Sequence, residues 1–198
     1  MTLFRKIYKL IIMNNFLWAL TFLTVIPIGN KNNQELHRTG SVACWFPIVG
    51  LCIGIIISLF SVLFSTFFPP FIADALVLVV SIAITGALHL DGFADTCDGV
   101  WGGRDKETRL SIMKDSRIGS FGAIGLICLL GLKYACLVSI GDITTSGHSL
   151  YVAIAERPFV PISPLLANLF PSLLLMPVMG RWSQVFAAAL SPYARSKS

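Results

Sequence analysis

The fold is decided by a run without charged residues, which covers residues 39–73 and reads TGSVACWFPIVGLCIGIIISLFSVLFSTFFPPFIA. This run is too long for one transmembrane helix, which needs about 20 apolar residues. Proline disfavours the helical conformation of the residue before it, so Pro69 and Pro70 mark a turn. We therefore expect a hairpin of two helices, the first over about 42–67 and the second over about 72–90.

Within the first of these helices, Gly50 and Gly54 form a GxxxG pattern. Glycines at this spacing permit a second helix to approach the backbone closely. The chance placement of two glycines in an apolar stretch explains the pattern equally well, so the sequence leaves this contact open.

Other charge-free runs lie on both sides of the hairpin, at 10–30, 75–90, 118–132, 134–141 and 158–180. Charged residues make up 13% of the 198-residue chain, against about 25% in a soluble domain. This composition excludes a disordered segment and a water-soluble globule, and the net charge of +5 is too small and scattered for nucleic-acid binding. We expect an all-α, polytopic transmembrane helix bundle of about four to six segments, built as one integral-membrane domain over 1–198. Residues 10–28 form either a full span or a re-entrant segment.

The hairpin returns the chain to the side that it left, so the connections 29–41 and 91–117 share one face of the membrane. Together they hold seven basic residues, which are Lys31, Arg38, Arg104, Lys106, Arg109, Lys114 and Arg117. Basic connections stay on the cytoplasmic side of a membrane. Residues 91–117 are therefore expected to form a cytoplasmic segment, and its acidic and basic residues make it the candidate active site.

Six of the ten acidic residues lie in this segment, and three of them are spaced for one helical face. Asp91, Asp95 and Asp98 fall at positions i, i+4 and i+7, within roughly 60° of one another on a helix. Like charges at this spacing destabilise an isolated helix, so something must compensate them. A Mg²⁺ ion that also binds substrate phosphates would do so, with Asp115 as a fourth carboxylate. The alternative is a helix at the membrane surface whose carboxylates are simply solvated.

Basic residues near the aspartates suit phosphate recognition, above all Arg104, Lys114 and Arg117. The same charges also have a topological role as cytoplasmic anchors. Together the carboxylates and the cations favour a metal-assisted transfer of a phosphoryl or phosphodiester group.

Two cations lie within or beside apolar runs, where a charge is costly and indicates a functional partner. Lys133 interrupts the run that begins at 118, and Arg181 follows the run 158–180. Arg181 has a second explanation as an anchor at the membrane surface. His89, two residues before Asp91, is either a ligand for substrate or metal, or a histidine that merely ends a helix.

These residues combine into a motif that resembles a known family. The motif is His89-Leu90-Asp91-Gly92, then Asp95 and Asp98-Gly99, followed by Asp115-Ser116-Arg117, Gly119 and Gly122. It resembles the cobalamin synthase family, adenosylcobinamide-GDP ribazoletransferase. Further similarity lies in Phe22-Leu23-Thr24, Leu132-Lys133, Gly180-Arg181-Trp182 and Pro192-Tyr193-Ala194-Arg195, so that the resemblance covers about 16–195.

The resemblance implies a polytopic enzyme of the bacterial inner membrane, in contact with the lipid bilayer. Such enzymes join adenosylcobinamide-GDP to α-ribazole or its 5′-phosphate and release GMP, with Mg²⁺ as cofactor, at the cytoplasmic side. On this basis Mg²⁺ would be bound by Asp91, Asp95 and Asp98, with Asp115 as a further ligand or the base. The expected substrate-binding residues are His89, Arg104, Lys114, Arg117, Lys133 and Arg181.

The sequence departs from the family pattern in two places. Val25 stands where the family usually has an arginine, and the chain stops three residues after Arg195, where family members continue. We therefore expect a truncated member whose last apolar segment, 158–194, is poorly packed and whose activity depends on the missing helices.

Two other functions fit parts of the sequence. A CDP-alcohol phosphatidyltransferase also uses spaced aspartates at a membrane, but Asp98-Gly99 is followed here by Val100-Trp101-Gly102-Gly103 rather than by Ala-Arg. A cation-coupled transporter would use Lys133 and the aspartates as its ion path. The aspartates lie outside the charge-free runs, which counts against a transporter.

Overall fold

A computed structural model describes residues 2–27, 39–143 and 170–191, and within these ranges the chain is helical and contains no strand. The expected all-α class is confirmed. The described helices, numbered in chain order, are α1 (Thr2–Leu23), α2 (Thr39–Ala43), α3 (Phe46–Phe67), α4 (Pro70–Thr85), α5 (Leu88–Gly102), α6 (Lys106–Ile112), α7 (Ser120–Ile143) and α8 (Phe170–Leu190).

Three helical stretches are long and apolar enough to cross a membrane, namely Gly40–Phe67, Ser120–Ile140 and Pro171–Leu190. The pair α4 and α5 passes the same test jointly, although it is bent by 89° at the junction. The described part of the chain therefore holds three candidate spans, or four if the bent pair is counted as one. Helix α1 is not among these stretches, and the expectation for 10–28 stays a prediction.

The hairpin at the two prolines is confirmed, but its second helix is shorter than expected. Phe68 is extended between α3 and α4, and Pro70 is the first residue of α4, where a missing N–H costs nothing. Helix α4 then ends at Thr85 rather than near residue 90, because Gly86 and Ala87 both adopt the left-handed conformation. Their N–H groups bond back to the last carbonyls of the helix and so close its end.

A face of small residues on α3 allows α8 to lie against its backbone. The buried residues of this face are Gly50, Gly54, Ser58, Ser61 and Ser65. A Cβ atom on Gly50 would lie 2.6 Å from the carbonyl oxygen of Pro177, and one on Gly54 would lie 2.6 Å from that of Leu174. The GxxxG pattern therefore marks a genuine helix contact in this chain.

The last described helix, α8, runs without interruption from Phe170 to Leu190, so Arg181 lies inside a helix. Residues 158–169 lie outside the described ranges. Leu173 and Pro177 of α8 are fully buried, whereas two buried nitrogen atoms of Arg181 have no hydrogen-bond partner. The expected poor packing of 158–194 stays a prediction.

Helix α3 also supplies the centre of the hydrophobic core. The buried cluster draws one or two residues from each of α1, α4, α7 and α8 around three from α3, and consists of Ala19, Leu23, Val49, Ile53, Ile57, Val77, Leu137 and Leu173. One polar contact joins two outer helices, because the Tyr134 hydroxyl donates to the carbonyl oxygen of Phe71 at 3.1 Å. The core therefore holds α8 against α3, and together with the Tyr134 hydrogen bond it holds α7 against α4, the helix that leads into α5.

We predict that Gly54→Ala destabilises the protein by about 1–3 kcal/mol, because its methyl group would meet backbone that cannot yield. The thermal unfolding midpoint in detergent measures this change. Gly131→Ala is the matched control, since a Cβ atom on that α7 glycine would meet nothing within 4 Å. Alanine favours a helix over glycine, so the control variant is expected to unfold at the same or a higher temperature. Equal midpoints for Gly54→Ala and the parent chain would contradict the close α3–α8 contact.

Candidate functional site

Helix α5 carries the three clustered aspartates and packs on a row of glycines at the start of α7. Gly119, Gly122 and Gly125 recur every three residues, and each has α5 atoms where a Cβ atom would lie. At Gly119 and Gly122 these atoms belong to the Asp98 carboxylate, and at Gly125 the nearest is the Cys97 Sγ at 2.7 Å. The absence of side chains on one helix lets the other approach this closely.

Asp98 uses this space to cap α7. Its Oδ2 accepts a hydrogen bond from the Gly119 N–H and its Oδ1 accepts one from the Gly122 N–H, both at 2.8 Å. The carboxylate is buried, with 8% of the residue exposed. The first N–H groups of a helix lack intrahelical partners and form the positive end of its dipole, so a carboxylate there is stabilising. The environment of Asp98 is therefore explained by the start of α7 without a metal ion.

Asp91 and Asp95 are placed differently. Both lie on α5 one turn apart, as the spacing predicts, but Asp91 is exposed and Asp95 half-buried. Across the described ranges, neither side chain makes a hydrogen bond or an ion pair. The same part of the chain holds no group of three or more His, Cys, Asp or Glu side chains close enough to bind a metal ion. The open acidic face thus consists of these two carboxylates.

Asp115 lies in the connection between α6 and α7, since α7 begins only at Ser120. Its Oδ2 accepts a hydrogen bond from the Arg117 Nη2 at 2.6 Å, and Nε lies 3.1 Å from both carboxylate oxygens. These hydrogen bonds lower the pKa of Asp115 to about 2. The structure joins Asp115 to Arg117 rather than to the other aspartates.

The five basic residues of the segment are all exposed but differ in their contacts. Arg104, Lys114 and Arg117 are exposed, the first between α5 and α6 and the other two after α6. Arg109 instead donates from its Nε to the Gly103 carbonyl at 2.9 Å, which holds α6 against the end of α5. Arg104 and Lys114 are therefore free to approach a ligand in solution, Arg117 is paired with Asp115, and Arg109 has a structural role.

A second group of predicted residues does come together, at the other end of α5. His89 is half-buried, and the Gln184 amide nitrogen of α8 lies 3.1 Å from its Nδ1 and 3.3 Å from its Nε2. Arg181 lies one turn before Gln184, and Lys133 contributes an exposed side chain from α7. The positive charges of Arg181 and Lys133 both act on the His89 ring. We call His89, Lys133, Arg181 and Gln184 the cationic cluster.

Sequence reasoning identified three members of this cluster and missed Gln184. The sequence did contain a signal for its role. Gln184 is the one side-chain amide in the apolar stretch 182–194, and it follows Arg181 by about one helical turn. The capping role of Asp98 was also missed, although Gly119 and Gly122 already stood in the motif. Its partners lie 21 and 24 residues away in the chain, so no local pattern reveals the pairing.

Comparison with known proteins places the chain in a family. The sequence matches the model of the cobalamin-5-phosphate synthase family over residues 15–198. A protein of Chlorobium phaeobacteroides (strain BS1) named adenosylcobinamide-GDP ribazoletransferase is 37% identical over 183 residues, which are 92% of this chain and 63% of that protein. A protein of the same name from Clostridium botulinum (strain Okra / Type B1) is 44% identical over 147 residues, 73% of this chain and 57% of that protein.

A third relative of that name, from Desulforamulus reducens, is 34% identical over 180 residues, 90% of this chain and 61% of that protein. The chain therefore spans about three fifths of the length of these curated relatives. No solved structure matches the chain.

We predict that Asp98→Asn lowers the free energy of unfolding by about 1–2 kcal/mol in the absence of metal ions, because an amide accepts only one of the two N–H bonds and has no charge for the helix dipole. Thermal unfolding in detergent with EDTA is the measurement. Asp91→Asn serves as the control and should leave the midpoint unchanged, since Asp91 is exposed. If both variants unfolded like the parent chain, Asp98 would have no capping role.

Proposed function

The chain belongs to the cobalamin-5-phosphate synthase family, and we propose that it joins adenosylcobinamide-GDP to α-ribazole or its 5′-phosphate. The products are adenosylcobalamin or its phosphate, together with GMP. The observation that carries this proposal is the pair of open carboxylates, Asp91 and Asp95, on a polar helix set among apolar ones. The family assignment favours this transferase over a CDP-alcohol phosphatidyltransferase or a cation-coupled transporter.

The reaction is a displacement at phosphorus. A hydroxyl oxygen of the acceptor attacks the phosphorus atom on the cobinamide side of the diphosphate and forms a new phosphodiester bond. The bond from this phosphorus to the bridging oxygen breaks, and GMP leaves with the electron pair. The hydroxyl proton passes to a base, so the protein has to neutralise the diphosphate charge and accept one proton.

Asp91 and Asp95 fit a Mg²⁺ ion, which proteins commonly hold through one or two carboxylates together with substrate phosphates. When bound, the ion would neutralise charge on the diphosphate and orient it. Asp98 would contribute to this site mainly by fixing α7 against α5, because backbone N–H groups already bind both of its oxygens. The supporting observation is that Asp91 and Asp95, unlike Asp98 and Asp115, have no protein partner within the described ranges.

Asp115 and Arg117 have linked roles in this proposal. Paired as they are, Asp115 is a weak proton acceptor, since the Arg117 hydrogen bonds lower its pKa to about 2. When Arg117 turns to a substrate phosphate, the pKa of Asp115 rises toward its ordinary value and the carboxylate becomes a better base. Arg104 and Lys114, which are exposed on the same segment, add positive charge for the diphosphate.

We propose further that the protein lies in the bacterial inner membrane with α5 and α6 at the cytoplasmic side. The support is that 29–41 and 91–117 hold seven of the 15 Lys and Arg residues. The positive-inside rule assigns connections rich in Lys and Arg to the cytoplasm.

We predict that Asp95→Asn lowers the rate of Mg²⁺-dependent cobalamin formation by roughly 10²- to 10⁴-fold, because a phosphate-binding metal ion loses a ligand. Membranes that contain the protein are supplied with adenosylcobinamide-GDP and α-ribazole, with and without Mg²⁺. Glu107→Gln, an equal loss of charge at an exposed position of α6, is the control and should keep the parent rate. Full activity of Asp95→Asn would remove the argument for a metal site. If the only transfer observed were from CDP-diacylglycerol to a polyol, the protein would be a CDP-alcohol phosphatidyltransferase.

We predict that Lys106→Cys, in a chain whose native cysteines are replaced, reacts with an impermeant thiol reagent in inverted vesicles but not in intact spheroplasts. Lys106 is exposed in α6, whereas the native Cys97 is buried and unsuited to labelling. A permeant reagent, which should label both preparations, controls for reactivity. Labelling of intact spheroplasts by the impermeant reagent would place the active-site segment on the outer side.

A further inference from the structure

The cationic cluster contains buried donors without acceptors. The Nε and Nη2 atoms of Arg181 are both buried and have no hydrogen-bond partner. Arg181 lies near the middle of the apolar stretch Pro171–Leu190, about 15 Å from either end at 1.5 Å per residue. A guanidinium group so placed has lost water without gaining a protein partner, which is an unfavourable state unless a ligand supplies the acceptor.

Nothing in the described part of the chain neutralises this charge. The other members of the cationic cluster are themselves cationic or neutral, and they are Lys133, His89 and the Gln184 amide. Within the described ranges neither Arg181 nor Lys133 takes part in an ion pair, whereas Arg117 is paired with Asp115. The cluster therefore holds two uncompensated positive charges, which together match a doubly charged anion.

The free donors of Arg181 also have the right geometry for one kind of anion. Nε and Nη2 form one edge of the planar guanidinium group, and this edge donates two parallel hydrogen bonds to two oxygens of a single phosphate or carboxylate group. Lys133 adds a mobile point charge from α7. His89 adds a ring nitrogen whose orientation is fixed by Gln184. A phosphate monoester, with two negative charges and three terminal oxygens, satisfies this set of donors best.

The cluster is distinct from the open acidic face. Asp91 follows His89 by two residues, which corresponds to about 200° around α5, so the two side chains leave opposite sides of the helix. A helix with its side chains is about 10 Å thick. An anion bound at the cluster would therefore lie about one helix diameter from a diphosphate at Asp91 and Asp95. This is the position expected for a phosphate at the far end of the acceptor substrate.

From these observations we infer that Arg181 and Lys133, with His89 and Gln184 between them, form a phosphate-binding subsite separate from the acidic face. This subsite deepens the proposed function, since the phosphate of a 5′-phosphorylated acceptor would occupy it, and that identification rests on the proposed function. The head group of phosphatidic acid is also a phosphate monoester, carries the same chemistry and is the other source. The binding test below needs no transferase activity, so its failure is separate from a failure of the proposed reaction.

The protein is reconstituted in nanodiscs of phosphatidylcholine, and its thermal unfolding midpoint is followed as inorganic phosphate or ribose 5-phosphate is added at constant ionic strength. A saturable rise is expected, and its midpoint concentration gives the apparent affinity. Arg181→Gln should weaken this affinity by roughly tenfold or more, and Arg181→Lys, which keeps the charge but loses the bidentate edge, by less. Lys106→Gln, the loss of an exposed cation of α6, is the control and should bind like the parent chain.

A second readout separates a binding role from a structural one. Without phosphate, Arg181→Gln should unfold at the same or a higher temperature than the parent chain, because the buried unpaired charge is gone. In a parallel arm, part of the phosphatidylcholine is replaced by phosphatidic acid. Stabilisation by phosphatidic acid alone, lost in Arg181→Gln, would support the subsite and identify the lipid head group as its occupant. Phosphate binding that is unchanged in Arg181→Gln, or no stabilisation in either arm, would overturn the inference.

Discussion

Close contact between the backbones of α3 and α8 determines where Arg181 and Gln184 lie. Gly50 and Gly54 leave no room for side chains between the two helices, so α8 can neither slide nor rotate without loss of contact. Arg181 and Gln184 each follow a contact residue, Leu174 and Pro177, by seven positions. Seven residues return a helix to within roughly 20° of the same direction. The glycines of α3 thus aim Arg181 and Gln184 along the packed face of α8, where Gln184 meets His89.

Helix α5 is held in place from both of its ends. Near its beginning His89 contacts Gln184 of α8, and near its end Asp98 binds the first turn of α7. Between these attachments the acidic side of α5 stays open, so Asp91 and Asp95 are presented on a rigid element and not on a loop. The three aspartates of the motif consequently differ in kind: one maintains the structure, and two remain available for chemistry.

The sequence predicted the features that depend on neighbours in the chain. The helical class, the hairpin at Pro69 and Pro70, and the helix that carries the aspartates all follow from composition and local spacing. Features that depend on distant partners or on a backbone conformation without a sequence signal were missed. Gly86 is a typical helix-ending residue, but Ala87 adopts a left-handed conformation that alanine usually avoids, so the sequence did not indicate the 89° bend before α5.

The cap on α7 also limits how this protein can hold an anion. The beginning of a long helix is an attractive position for phosphate, because its N–H groups and its dipole are already oriented. Here the carboxylate of Asp98 already occupies that position and would compete with any phosphate for it. A phosphate ligand therefore cannot use the N–H groups of Gly119 and Gly122 while Asp98 accepts their hydrogen bonds, and would have to be bound by side chains.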